Sequence, residues 1–293
     1  MISSAAIDRR VRSLAVRFRK DPMSPLQALV LGIVQGATEY IPVSSSAHLV
    51  LVPWLVGWPD APFSFEVLVQ WGTLVGVFIY FWRDLWSVIT GMIGAILQGH
   101  PFDGEDAQLG WMIVLGTIPA VIFGLLLKDV LEPAYSQPLL VAALLLVTGD
   151  MLAGAERYGR RQRDLKQLGW PDALLVGLWQ VAALLPGISR SGATISGAVV
   201  RGFDRVSAAR FSFLLSVPVL LGAGVLALYD LVGQGRLLTD LPSLGIGFLA
   251  AAITGYLCIG WLLSFIKRHS LYPFALYCVS FGIVCLAIGV VRG

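Results

Sequence analysis

The chain has 293 residues, 57% of them hydrophobic and only 13% charged, with a mean hydropathy of +0.78 and a net charge of +3. Soluble domains carry roughly twice that charged fraction, so a soluble globular protein is excluded. The long continuous apolar runs exclude a membrane β-barrel, and the small net charge leaves no electrostatic footprint for nucleic acid.

Residues 1–22 differ from the rest of the chain, with Arg9, Arg10, Arg12, Arg17, Arg19 and Lys20 giving six positive charges. They read as a basic arm, either an amphipathic segment lying on a surface or a start placed ahead of Met23. No secretory cleavage pattern is present after them. A single integral membrane domain is expected over 23–293. It opens with an apolar half-helix at 25–41, about 25 Å long at a rise of roughly 1.5 Å per residue, carrying Gln35, Thr38 and Glu39 near its end and stopped by Pro42. Residues 47–58 supply a second short apolar stretch. Neither crosses a hydrocarbon core about 30 Å thick, so the economical structure is a re-entrant hairpin broken at 42–46. Irregular backbone at that depth is tolerated only inside protein or beside a water-filled cavity. Full spans are expected at 65–82, 111–127 and 139–155. Residues 172–185, 186–191 and 192–202 repeat the hairpin, and runs at 211–229, 244–266 and 272–291 repeat the spans.

The repetition extends to single residues. Ala28, Gly32 and Gln35 match Ala173, Gly177 and Gln180 at a constant offset of 145, while Pro42 and Pro186 stand 144 apart, which implies one residue gained or lost between. Phe63-Ser64-Phe65 echoes Phe211-Ser212-Phe213. Three spans per half is an odd number, so the second half starts on the opposite side of the bilayer. The expected fold is therefore an all-α polytopic membrane protein of about six transmembrane helices plus two re-entrant helix-loop-helix hairpins in an inverted repeat, with halves near 23–156 and 170–293. Arg157, Arg160, Arg161, Arg163 and Lys166 crowd one loop, Arg201, Arg205 and Arg210 a second, and Lys267 and Arg268 a third. These loops share one side, cytoplasmic by the positive-inside rule, which puts both termini outside; the basic arm argues the other way. Cys258, Cys278 and Cys285 read as small core residues, and Trp54, Trp58, Trp82 and Trp86 as interface-belt residues.

Ionisable groups at membrane depth are costly, and function is the default reading of them. Gln35 and Glu39 stand at i and i+4 on one helical face, where the carboxylate needs a pairing charge or a cation. Ser45 and His48 stand at i and i+3 across the start of the returning helix. In the second hairpin Arg190 is the one basic residue expected inside the membrane, and its guanidinium fork matches phosphate oxygens. Ser189, Ser191 and Thr194 surround it, and the helix opening near Gly192 aims backbone N–H groups at the same spot. Plainer roles compete: Ser44 or Ser46 bonding back to a carbonyl, Gln35 satisfying a broken helix, Glu39 neutralising Arg190. Glu66 and Gln70, also at i and i+4, are candidates to line the same cavity.

The first hairpin, Gln35-Gly-Ala-Thr-Glu39-Tyr-Ile-Pro-Val-Ser-Ser45-Ser-Ala-His48, resembles the Glu/Gln-x-x-x-Glu plus Pro-Val-Ser-Ser-x-x-His signature of the bacitracin-resistance undecaprenyl pyrophosphate phosphatases. The second, Pro186-Gly-Ile-Ser189-Arg190-Ser191-Gly-Ala-Thr194, is similar to that family's Pro-Gly-x-Ser-Arg-Ser-Gly-Ala-Thr signature, and the likeness runs from about Met23 to the C-terminus. Gln35 stands where well-known members have Glu, which removes one metal-binding carboxylate. The resemblance implies hydrolysis of undecaprenyl diphosphate to the monophosphate, recycling the lipid carrier for peptidoglycan synthesis and conferring bacitracin resistance. It also implies a bacterial inner-membrane location, a site open to the outer face, and dependence on a divalent cation.

On that reading Arg190, Ser189, Ser191, Thr194 and Ser44 bind phosphate, and Glu39 with Gln35 holds Mg²⁺ or Ca²⁺, hard cations that take oxygen ligands. Ser45 is the expected nucleophile with His48 as its base. A phosphohistidine at His48, or Glu39 as the base for Ser45, remain open alternatives. The partners expected are a polyprenyl diphosphate and the membrane, with a homodimer left open. A competing class is a secondary transporter or lipid flippase with an anion site at the midplane, which has no need of Ser45 beside His48. A purely structural scaffold leaves Arg190 and Glu39 without a purpose.

Overall fold

A computed structural model describes residues 23–233 and 241–292, so the basic arm at 1–22 lies outside the described residues. The helices in chain order are α1 (Pro25–Tyr40), α2 (Ser45–Val56), α3 (Phe63–Tyr80), α4 (Trp82–Leu97), α5 (Glu105–Leu131), α6 (Pro138–Tyr158), α7 (Trp170–Ala182), α8 (Arg190–Val200), α9 (Arg205–Gly233), α10 (Leu241–Ile266) and α11 (Tyr272–Arg292). Among the described residues there is no strand beyond an isolated bridge between Arg163 and Phe203.

The segments Glu105–Leu127, Pro138–Tyr158, Arg205–Val225, Pro242–Ile266 and Tyr272–Arg292 are each long and apolar enough to cross a bilayer. The expected span at 65–82 corresponds to α3, and the helix that follows it is not among the expected elements. α3 breaks at Phe81 and continues as α4 at an angle of 79°. Residues 82–97 are amphipathic: Leu85, Val88 and Ala95 are buried against the protein, while Arg83, Asp84, Ser87 and Thr90 lie on other faces. A continuous span would place those polar groups in lipid. Trp82 and Trp86 are exposed, as belt residues are.

Each hairpin's first helix packs along the middle span of the opposite half, α1 on α10 and α7 on α5, and the last spans α6 and α11 pack together. The close approaches repeat as well. A Cβ on Gly32 would lie 2.4 Å from the Gly247 carbonyl oxygen, and a Cβ on Gly177 would lie 2.4 Å from that of Gly116. Two helices approach this closely only where both surfaces are small. Corresponding helices thus trade partners, as an inverted repeat requires. The aromatic echo does not fall at equivalent points: Phe63 opens α3, whereas Phe211 and Phe213 lie about two turns inside α9.

The core lies around the hairpin tips, where Tyr40, Leu145, Leu152, Phe211, Phe213 and Leu215 are fully buried. Leu125, Ile253, Leu257, Leu276 and Ile283 face outward, as a lipid-facing surface would present them. Cys278 and Cys285 are buried free thiols. The three basic loops meet on one face. Glu156 takes Arg161 and Arg205 and accepts from the Leu271 amide, while Asp172 takes Arg163 at 2.6 Å and Arg201 at 2.7 Å. Burial alone would push the Asp172 carboxyl up, but the hydrogen bonds from Arg163 and Arg201 outweigh it and hold it below the usual carboxylate range.

Candidate functional site

Both hairpins break around a proline and restart at a serine cap. Pro42 forbids continuation of α1, and Ile41 before it is extended, as a residue preceding proline prefers to be. The chain then turns through Ser44, which holds φ +70°, a left-handed conformation rare for serine, and caps α2 by accepting from the Ala47 amide. Ser189 caps α8 by accepting from the Gly192 amide. The Ser44 and Ser46 hydroxyls lie 3.2 Å apart, and those of Ser189 and Ser191 lie 3.1 Å apart. The two caps therefore keep the 145 offset. No residue is gained or lost across the break; the proline sits one place earlier in the second copy.

Ser45 and Arg190 are consequently equivalent positions, each the first residue of its returning helix. Both bind one carboxylate. Ser45 Oγ donates to Glu39 Oε2 at 2.7 Å, and Arg190 Nη2 donates to Glu39 Oε1 at 3.1 Å. Gln35 Nε2 adds a third donor to Oε2 at 2.8 Å, the i, i+4 contact expected from the sequence. The pair is buried, with side-chain exposure of 13% for Arg190 and 6% for Glu39. Arg190 Nη1 also donates to the Ser212 carbonyl at 3.2 Å. Two helix N-termini thus converge on one point, and the backbone amides of Ser45 and Arg190 have no hydrogen-bond partner among the described residues. Such a pair of positive helix ends is suited to an anion.

His48 does not meet Ser45 in this structure. Its Nδ1 lies 2.8 Å from the Ser44 carbonyl oxygen and its Nε2 lies 2.6 Å from the Tyr277 hydroxyl. Both ring nitrogens are occupied and neither meets Ser45, whose hydroxyl turns to Glu39 because a carboxylate is the stronger acceptor. Spacing alone makes His48 the base for Ser45; the geometry gives that contact to Glu39.

The hydroxyls expected on phosphate are engaged with protein. Ser191 Oγ reaches the Glu39 and Ile41 carbonyl oxygens at 3.2 and 3.4 Å, tying α8 to the end of α1. Thr194 Oγ1 donates to the Arg190 carbonyl and lies 2.6 Å from Ser212 Oγ. Ser46 Oγ accepts from the Gly187 amide at 3.4 Å, a further link between the tips. Ser44, Ser189, Ser191 and Thr194 are all buried, so they brace the tips around Arg190 and Glu39. No hydrogen bond joins Glu66 or Gln70 to this cluster among the described residues. Sequence reading missed Tyr277, Thr148, whose hydroxyl bridges the Gly187 carbonyl and the Ser189 amide, and Tyr40, 6.0 Å beneath the Arg190 guanidinium. Tyr277 and Thr148 lie within spanning helices with no motif to mark them, and Tyr40, although next to Glu39, reads as an apolar helix end.

In the cluster around Glu39 two buried valences stay open: Gln35 Oε1 and Arg190 Nε have no partner among the described residues. The first is an acceptor oxygen beside a carboxylate, the second a charged donor. An oxygen pair from Gln35 and Glu39 fits a hard divalent cation whose other ligands are phosphate oxygens or water. Among the described residues no group of three or more His, Cys, Asp or Glu side chains forms a self-sufficient metal site. The donor set fits a cation shared with a phosphate ligand.

The family described as "Bacitracin resistance protein BacA" matches residues 28–284. The chain is 42% identical to the undecaprenyl-diphosphatase of Thermomicrobium roseum, over 91% of this chain and 98% of the relative. It is 41% identical to that of Chlorobium phaeovibrioides, over 90% and 96%, and 42% identical to that of Desulforudis audaxviator, over 92% and 100%. With both signature hairpins meeting at one buried carboxylate, and with likeness along nearly the whole length, the chain belongs to the bacitracin resistance protein BacA family.

Proposed function

We propose that this protein is an undecaprenyl-diphosphate phosphatase, releasing inorganic phosphate and leaving undecaprenyl phosphate in the membrane. The observation that carries the reading is the convergence of Ser45 and Arg190 on the two oxygens of Glu39. A hydroxyl, a base and a phosphate-binding cation stand together in a water-poor site, and the activity for which the relatives are named supports the same chemistry.

The distal phosphate replaces Glu39 as the partner of the Arg190 fork, using Nη2 and the open Nε. The two helix N-termini stabilise charge on its oxygens. Freed of the guanidinium, the Glu39 carboxylate takes the Ser45 proton as Oγ attacks the terminal phosphorus. The new O–P bond forms as the bridging P–O bond breaks, and the lipid monophosphate departs. Water then attacks the phosphoserine, Glu39 returns its proton to the departing Ser45 Oγ, and inorganic phosphate is released with one water proton passing to solvent. Glu39 and Gln35 Oε1 would hold a divalent cation, which would supply charge neutralisation to the diphosphate.

The shared face of the basic loops supports an orientation with that face cytoplasmic and the site open to the outer side of a bacterial inner membrane. Activity there recycles the lipid carrier for peptidoglycan synthesis and protects against bacitracin. The test is phosphate release from a prenyl diphosphate by the purified protein in detergent. Turnover that is lost with a chelator, in Ser45→Ala and in Arg190→Ala supports the reading. Near-normal turnover by either well-folded variant removes it.

A further inference from the structure

The Ser44 carbonyl oxygen can only accept a hydrogen bond, so His48 Nδ1, 2.8 Å away, carries a proton. In the neutral ring Nε2 is then an acceptor, and the Tyr277 hydroxyl, 2.6 Å away, donates to it. Tyr277 reaches across from α11, in the opposite half of the chain. Its ring lies within 7° of parallel to the imidazole, and Phe281, one turn on, lies 5.1 Å away at 13°. Cys278, between them, sits 3.8 Å from the Pro42 carbonyl, so α11 rests against the tip of the first hairpin. His48 is 4% exposed and Tyr277 is 44% exposed, so the contact lies at the edge of the buried cluster.

We propose that Tyr277 is a positioning residue for this site: the Ser44 carbonyl sets the Nδ1–H tautomer of His48, and the Tyr277 hydroxyl donates to the basic Nε2 and holds the ring away from Ser45. Deeper in, Glu39 holds the Ser45 proton, so the two bases serve different places. Nε2 is held by Tyr277 and not by Ser45, so a water that takes the place of the phenol hydroxyl would meet a base there, which suits His48 to the hydrolysis of the phosphoserine and not to its formation. Inversion of the tautomer would set the Nδ1 lone pair against the Ser44 carbonyl oxygen, which would keep only the His48 backbone N–H as donor at 3.3 Å. The inference rests on the phosphatase reading for its kinetic consequence, but not for its structural one.

The test uses the full-length protein with His100→Gln and His269→Gln, both histidines lying outside the site, so that His48 is the one histidine left. Nitrogen-15 NMR of the labelled imidazole reads the tautomer directly. The expected result is a protonated Nδ1 and an unprotonated, hydrogen-bonded Nε2, with the Nε2 resonance moving in Tyr277→Phe, which keeps the ring and loses the donor. In steady-state assays Tyr277→Phe should lower kcat roughly tenfold, the scale of one lost hydrogen bond to a reacting group, with KM within about twofold. A protonated Nε2 in the parent protein overturns the proposal, as does a Tyr277→Phe variant with unchanged nitrogen shifts and kcat. If the parent lacks phosphatase activity, the functional reading falls while the NMR result still decides the tautomer.

Discussion

Breaking the contact between Arg190 and Glu39 should destabilise the protein, and removing both partners should not cost the sum. The charges stand 3.1 Å apart with side-chain exposures of 13% and 6%, so at an effective dielectric near 20 their attraction is about 5 kcal/mol before desolvation is charged against it. Removing one member of such a buried pair costs about 3–5 kcal/mol, chiefly because the other charge is left without compensation. Glu39→Gln keeps the size of the side chain and an acceptor for Ser45, and so isolates the charge. Arg190→Met keeps the apolar stem. At roughly 2 °C per kcal/mol for a chain of this size, each single variant should melt roughly 6–10 °C lower. The double variant leaves no orphaned charge and should melt no lower than the worse single, a coupling of about 3 kcal/mol or more. All three variants are expected to be inactive, so thermal unfolding in detergent is the measurement, with protein yield as control. Additive losses, near 12–20 °C in the double variant, would refute the claim that the hairpin tips meet through these two side chains.

The same geometry predicts other outcomes. Gln35→Glu replaces a donor 2.8 Å from Glu39 with a second carboxylate, so activity should be kept or raised with divalent cation present and fall more steeply on chelation; a dead variant at saturating cation argues against the cation-holding role. Gly32→Ala and Gly177→Ala each drive a Cβ against a carbonyl oxygen of the facing helix. Each should cost about 1–3 kcal/mol, in similar amounts at the two sites. A large loss at one and none at the other would contradict equivalent packing of the halves.

The hairpins are legible in the sequence because a proline stop, a serine cap and a charge at membrane depth are local signals with few alternative uses. Gln35 and Glu39 share a face by helical period, and Arg190 stands out because nothing else explains a guanidinium there. The prolines misstate the register of the break, since α1 ends at Tyr40, two residues before Pro42, and α7 at Ala182, four before Pro186, while the caps fix where the next helix begins. Two features are hidden for physical reasons. The helix over 82–97, bent 79° from α3, is hidden because its amphipathic residues give no continuous apolar run. The partners of His48 are hidden because Tyr277 is 229 positions away and only packing of α11 on the first hairpin joins them. Sequence spacing tells which residues neighbour one another along a helix; it does not tell which acceptor wins a hydroxyl.

The most direct test of the catalytic account is to find where phosphate rests during turnover. Enzyme mixed with diphosphate substrate labelled in the terminal phosphoryl group, quenched in acid within the first turnover and mapped by mass spectrometry, should carry an acid-stable label on Ser45. An acid-labile label on His48, or no covalent label while phosphate is released, would contradict it.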